Sequence, residues 1–296
     1  MENLFSILIP SWNNLPYLKL CVESLRKNSK YSHQIIVHVN EGTDGTLSWV
    51  QEQNLDYTYS AENIGVCLSM NTMRSKVKTD YILYVNDDMY ALPGWDEVMW
   101  EEVQSLPNNY WYISGTMIQP LLKSSVGVFA HYGTSPQTFE EEKLLKEYKS
   151  LYREDWKGAT FPPSLIHRDI WDLVGGYGIE FSPGMCSDPD FTAKLLMIGV
   201  KHLKGLGKCL FYHFECKTTR RIIKNKGTFQ FLLKWGLPYS AFRKYSLHLG
   251  ELFNEVKTES HNHKQFKKDI LRGRLKAIFL LIIEGFGFDA NRFWKE

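Results

Sequence analysis

Three short apolar runs, residues 5–9, 35–39 and 81–85, each break off into a cluster of polar residues, with helical patterns between them. After Pro10, Pro16 opens a segment in which Leu18, Cys21, Val22 and Leu25 recur at helical spacing. Residues 56–59 read as another strand and residues 66–77 as another helix. Strands alternating with helices imply a largely parallel sheet, because each parallel connection must cross over a face. The predicted class is therefore α/β, a doubly wound, mostly parallel sheet with helices on both faces. Such sheets bind ligands outside the carboxyl ends of their strands. Those places hold Pro10-Ser11-Trp12-Asn13-Asn14, Asn40-Glu41-Gly42-Thr43-Asp44 and Asn86-Asp87-Asp88.

A chain of 296 residues can hold one large domain or two small ones. Lys plus Arg at 35 against Asp plus Glu at 33 leaves +2, so charge indicates no polyanion, and no nucleic acid is expected as partner. Five cysteines without a CxxC pair, and an amino terminus without a basic and then long apolar segment, read as a reducing, cytoplasmic setting. The apolar run 277–283 is far shorter than the ~20 residues of a bilayer-spanning helix. The first turn carries neither GxGxxG nor GxxxxGK[ST], which argues against a dinucleotide fold and a P-loop. From 119 to about 155 the pattern weakens, and 140–149 reads as a solvated helix. A short helix ends at Gly175-Gly176, and an apolar helix over 191–198 stops at Gly199. After Glu215 the composition turns basic and aromatic, placing a boundary near Lys217.

Asn86-Asp87-Asp88 leaves an apolar strand where a ligand would sit, and carboxylates there suit Mg²⁺ or Mn²⁺ sharing its shell with substrate phosphates. The same two acids can equally cap the next segment. In Ser187-Asp188-Pro189-Asp190-Phe191, Asp188 can be the N-cap with Pro189 as first helical residue, or a carboxylate that accepts a proton from a substrate hydroxyl. Spacing does not separate these roles. His213, among aromatic neighbours, reads as a packing residue or as a ligand.

Taken in order, Phe5-Ser-Ile-Leu-Ile-Pro-Ser-Trp-Asn-Asn, Glu62-Asn63-Ile64-Gly65 with Asn71, the stretch from Tyr81 to Met89, Val174-Gly-Gly-Tyr and Ser187 to Phe191 resemble the motifs of family 2 glycosyltransferases of the GT-A fold. The resemblance covers roughly the first two-thirds of the chain. It implies an inverting enzyme that uses a nucleoside-diphosphate sugar. Asn86-Asp87-Asp88 resembles the DxD motif, which implies Asp88 as metal ligand, with Asn86 and Asp87 beside the donor; Asn86 departs from the usual first Asp. Asp188 matches the catalytic base, with Ser187 where an acid is common. The resemblance further places Pro10, Trp12, Asn14, Glu41, Asn63 and Asn71 at the donor, and His213 in the shell of a divalent cation, Mn²⁺ or Mg²⁺. Trp156, Tyr177 and Asp190 are acceptor-side candidates. Arg220 and Arg221, with Lys217, read as a cationic loop closing over the diphosphate or as a solvated basic turn.

These implications give a catalytic domain over 1–216, with a nucleotide-sugar half of about 1–118 and an acceptor half of about 119–216, and a helical extension over 217–296. The expected activity is sugar transfer to a glycan or lipid-linked acceptor in surface polysaccharide synthesis. A carbohydrate- or nucleotide-binding module without turnover is the alternative, motivated by Asn86 and Ser187, and a sugar-phosphate nucleotidyltransferase ranks third. In the tail, Phe266, Ile270, Leu271, Leu275, Ile278, Phe279, Ile282 and Ile283 alternate with lysines and arginines at helical spacing. Packing on the catalytic domain or a homodimer partner is the commoner fate of such a helix; the other reading is peripheral contact with the inner face of the membrane. His261 and His263 lack cysteine partners and read as linker residues. Trp95 and Trp111 join Trp156 and Tyr177 as candidate sugar-stacking platforms.

Overall fold

In the first strand, β1 (Phe5–Trp12), side chains alternate between two cores: Phe5, Ile7 and Ile9 join one buried cluster and Leu8 another. The computed structural model describes residues 2–121, 124–215, 226–254 and 263–284. The other strands are β2 (Gln34–Asn40), β3 (Asp56–Ser60), β4 (Tyr81–Tyr84), β5 (Met89–Ala91), β6 (Trp111–Gln119), β7 (Gly127–Phe129), β8 (Trp156–Lys157), β9 (Ser164–His167) and β10 (His202–His213). They form one mixed sheet in the order β3-β2-β1-β4-β9-β6-β10-β5, with β7 on β6 and β8 on β10. β1 to β4 pair in parallel, as do β6, β7 and β10, while β9, β5 and β8 run antiparallel to their neighbours.

Helices α1 (Leu15–Lys27), α2 (Thr46–Glu52) and α4 (Trp95–Ser105) cover one face. Pro16 lies in the first turn of α1, and Leu18, Cys21, Val22 and Leu25 are its buried stripe, as the spacing predicts. The other face carries α3 (Gly65–Met73), α6 (Arg168–Leu173) and α7 (Ser187–Met197). α3 is shorter than expected and passes into a 3₁₀ turn over Arg74–Lys76. The charged stretch 140–149 is helical over α5 (Glu141–Glu147), but it is not solvated all round. Leu144 and Tyr148 are buried with Tyr132, Tyr212 and Phe214 in a third cluster.

Beyond the sheet come α8 (Gly227–Trp235), α9 (Tyr239–Ala241), a π turn over Phe242–Ser246, and α10 (His263–Glu284). Phe231 of α8 and Phe242 enter the same cluster as Phe191 and Tyr177, so α8 shares a core with the sheet's second face. Arg274 of α10 donates from Nε to the carbonyl of Gly236 at 3.1 Å, at the carboxyl end of α8, where a cation complements the helix dipole. His263 opens α10, while His261 lies outside the described residues. Among the described residues, no helix is long and apolar enough to cross a membrane.

Candidate active site

Parallel pairing sets Leu8 beside Tyr84, so the chain leaving β4 runs along the carboxyl end of β1. Ser11 there donates to Asp87 Oδ2 at 2.7 Å, tying the turn 86–88 to β1. The turn's other side is held by β10: His213 pairs with Met89 across the antiparallel ladder, and the Phe214 N–H donates to the Asp88 carbonyl at 3.0 Å. Asp87 and Asp88 therefore lead into a strand and do not cap a helix. This register brings His213 Nε2 within 3.2 Å of Asp88 Oδ1, although 125 positions separate them in sequence.

Asp188 arrives from α7, on the second face of the sheet. The structure corrects its role as N-cap: α7 begins at Ser187, the residue before it is Cys186 in the left-handed region at φ 65°, and Asp188 lies in the first turn. Its Oδ1 accepts from the Tyr177 hydroxyl at 3.0 Å. Burial pushes the carboxyl up to about 7, and the Tyr177 hydrogen bond opposes that rise. Tyr177 is held in turn by Asn71. The Asn71 amide donates to the Tyr177 carbonyl and accepts from its N–H, both at 2.8 Å. A side chain on Gly176, at φ 63°, would collide with Asn71 Oδ1, which gives the Gly-Gly-Tyr run a steric reason.

Asp88 and Asp188 border one hollow of about 500 Å³. Pro10, Trp12, Asn63, Asn86, Asp87 and His213 line it too. Its floor includes the start of α3, where Gly65 at φ 74° lets the backbone approach Pro183 closely and Val66 N donates to the Pro183 carbonyl at 3.0 Å.

Other expected positions lie elsewhere. Asn14 stands at the start of α1 and Glu41, at φ 61°, accepts from Asn13 at 2.9 Å; neither lines the hollow. Asn71 acts on the Tyr177 backbone, as above, and does not line the hollow. Trp156 is a core residue, its indole donating to Thr116 at 2.9 Å, and Trp95 and Trp111 are core as well. Tyr177 is buried and stacked on Phe191, so it offers no platform to a sugar. Asp190 is fully buried, accepting from Trp235 Nε1 at 2.9 Å and pairing with Lys234 at 2.8 Å, which ties α7 to α8. Lys217, Arg220 and Arg221 lie outside the described residues. Sequence reasoning missed Tyr84, Gln119, Met185 and Glu215 among the lining residues. Gln119 ends β6, so the carboxyl-end rule would have found it had that strand been read.

The donor chemistry of Asp88 and His213 fits a divalent cation. Burial pushes the imidazole's pKa down, but Asp88, with Glu215 and Asp87 behind it, pushes it up further, and the net shift is upward. The carboxylate field that retains a proton on the ring would retain a cation in its place. His213 Nδ1 is buried without a hydrogen-bond partner. Among the described residues no group of three or more His, Cys, Asp or Glu forms a ready-made metal cluster. A cation between Asp88 and His213 would therefore complete its shell from diphosphate oxygens and water.

Residues 6–124 match the family described as Glycosyl transferase family 2. A curated relative, "Glycosyltransferase GlyG" of Streptococcus pneumoniae serotype 4, is 24% identical over 208 residues, which is 65% of this chain and 64% of that protein. The chain thus spans about two-thirds of its relative's length. Among solved structures, S. aureus TarS 1-349 in complex with UDP has a TM-score of 0.53 at 14% identity, covering 71% of this chain and 60% of that one. The mannosyltransferase PcManGT from Pyrobaculum calidifontis, in complex with GDP-Man and Mn²⁺, has a TM-score of 0.54 at 16% identity, covering 96% and 76%. At these identities the likeness is one of fold, a curled mixed sheet of the GT-A kind.

Proposed function

We infer that this chain, a glycosyltransferase whose residues 6–124 carry the family 2 signature, moves a sugar from a nucleoside diphosphate to an acceptor hydroxyl with inversion at the anomeric carbon. The observation that carries this reading is the convergence of Asp88 and Asp188 on one hollow. With a pKa of about 7, Asp188 is poised as a base near neutral pH. The acceptor oxygen forms a bond to the anomeric carbon, the bond from that carbon to the diphosphate oxygen breaks with its electron pair, and the acceptor's proton passes to Asp188. Tyr177 orients the carboxylate by holding Oδ1, and in this reading Oδ2 takes the proton. Asp88 and His213 would hold Mn²⁺ or Mg²⁺. A bound cation supplies neutralisation of the charge gathering on the diphosphate. Pro10, Trp12, Asn63 and Asn86 line the same hollow, and this reading gives them to the donor.

The acceptor is read as a glycan or lipid-linked precursor of a surface polysaccharide. That class rests on the family resemblance; the hollow itself supplies the proton acceptor. The complexes of similar structures with UDP, UDP-GlcNAc and GDP-Man support a nucleotide-sugar donor. The test pairs turnover with binding. In a panel of nucleotide sugars and glycan acceptors with Mn²⁺, Asp188→Asn is expected to lower transfer by about 10²–10⁴-fold while nucleoside diphosphate still raises Tm. A wild-type protein that binds donors but transfers none would make this a binding module.

A further inference from the structure

On α10, Leu271, Leu275, Ile278 and Phe279 are each more than half exposed, and Ile282 is 72% exposed. At 3.6 residues per turn these five fall within roughly 100° of arc, forming one apolar stripe. The opposite side of α10 is already occupied. Ala277 is buried, the Asp269 carboxylate accepts from Tyr245 at 2.9 Å, Phe266 packs edge-on against Tyr245, and a side chain on Gly273 would collide with Pro238. The helix is therefore docked on its own chain and still presents a second apolar face.

The charge around the stripe identifies its occupant. Lys264, Lys267 and Lys268 are exposed and, by the same arc, continue the stripe's face toward the amino end of the helix. Arg272 and Lys276 flank it, lining a hollow of about 480 Å³ between α8, α9 and α10. Between Lys264 and Ile282 the only acid is Asp269, on the docked side. A second copy of this helix would set lysines against lysines in a parallel pair, or lysines against the apolar end in an antiparallel one. Phosphate headgroups above acyl chains match both parts at once. We propose that α10 lies in the interfacial layer of an anionic bilayer, with the Leu271–Ile282 stripe among the acyl chains and the lysines and arginines on lipid phosphates.

The test is co-sedimentation of the full chain with vesicles of phosphatidylcholine containing phosphatidylglycerol, and with phosphatidylcholine alone. Wild type is expected to bind the mixed vesicles about tenfold or more tighter, and added salt should weaken that binding. The double variant Leu275→Glu/Phe279→Glu should lose binding about tenfold or more, with Tm unchanged because both side chains are exposed. Lys264→Gln/Lys267→Gln/Lys268→Gln should remove the preference for anionic lipid and leave the fold intact. Absence of wild-type binding, or equal binding by the glutamate variant, overturns the proposal. So does a wild-type dimer in solution that binds no vesicles and that Leu275→Glu/Phe279→Glu dissociates. Neither donor binding nor turnover enters these readouts, so the outcome is separate from the fate of the transfer reading.

Discussion

As the proposed base, Asp188 makes opposite demands on stability and activity. Because its folded pKa lies above the ordinary 3.8, the stability it contributes is full below that value and is lost as pH rises through about 7. The base form needed for transfer grows over the same range, so kcat/KM should climb about tenfold per pH unit below pH 7 and level off above it. Asp188→Asn should therefore lower transfer by about the same 10²–10⁴-fold while raising Tm at pH 8, which paired melting and activity measurements would show. Tyr177→Phe keeps the stacking on Phe191 and removes the hydroxyl that stabilises the carboxylate. A hydrogen bond to a charged group contributes about 1.5–3 kcal/mol, so the rising limb of the pH–rate profile should move up by roughly one unit or more. For His213 and Asp88 the readout is ligand-linked melting: the extra shift that Mn²⁺ adds to nucleoside diphosphate should shrink in His213→Ala and vanish in Asp88→Asn. Asp88 was legible in sequence because it follows an apolar strand, and Asp188 because it opens an apolar helix. The pairing of Asp88 with His213 was not, because strand register creates it.

At the level of elements, the strands and helices of the first ninety residues follow from apolar spacing and proline placement, and α1 buries the four residues its period selects. Residues 140–149 were harder to read. A helix with one buried Leu144 has almost no periodic signal, and the third cluster that receives it is assembled from β5, β6 and β10. β2 carries a prediction of its own. His38 is buried between Thr58 and Ser60 of β3, its ring nitrogens 2.7 and 3.2 Å from their hydroxyls, and burial lowers its pKa to about 4. A histidine held neutral contributes stability that is full above the ordinary 6.5 and is lost as pH falls through about 4. Melting temperature should therefore fall as pH drops from 6.5 to 4, and His38→Gln should flatten that slope.

For the molecule as a whole, we propose a catalytic unit over 1–216 that is completed by α8 and its neighbours from the 217–296 extension. Phe231 is fully buried among residues of the sheet's second face, and Asp190 on α7 pairs with Lys234 on α8. Unfolding should then be one cooperative transition by calorimetry, and Phe231→Ala should cost about 3–5 kcal/mol. Separate transitions for the two parts would contradict this. Local chain chemistry was enough to tell the α/β alternation, the polar clusters beyond the strand ends and the acids worth watching, because periodicity and turn residues act within a few positions. Tertiary packing settled which acids share a hollow, that Asn71 and Tyr177 support Asp188, and that Trp156 belongs to the core. Those outcomes depend on strand order, register and helix docking, which join residues as far as about a hundred positions apart and leave no trace in local spacing.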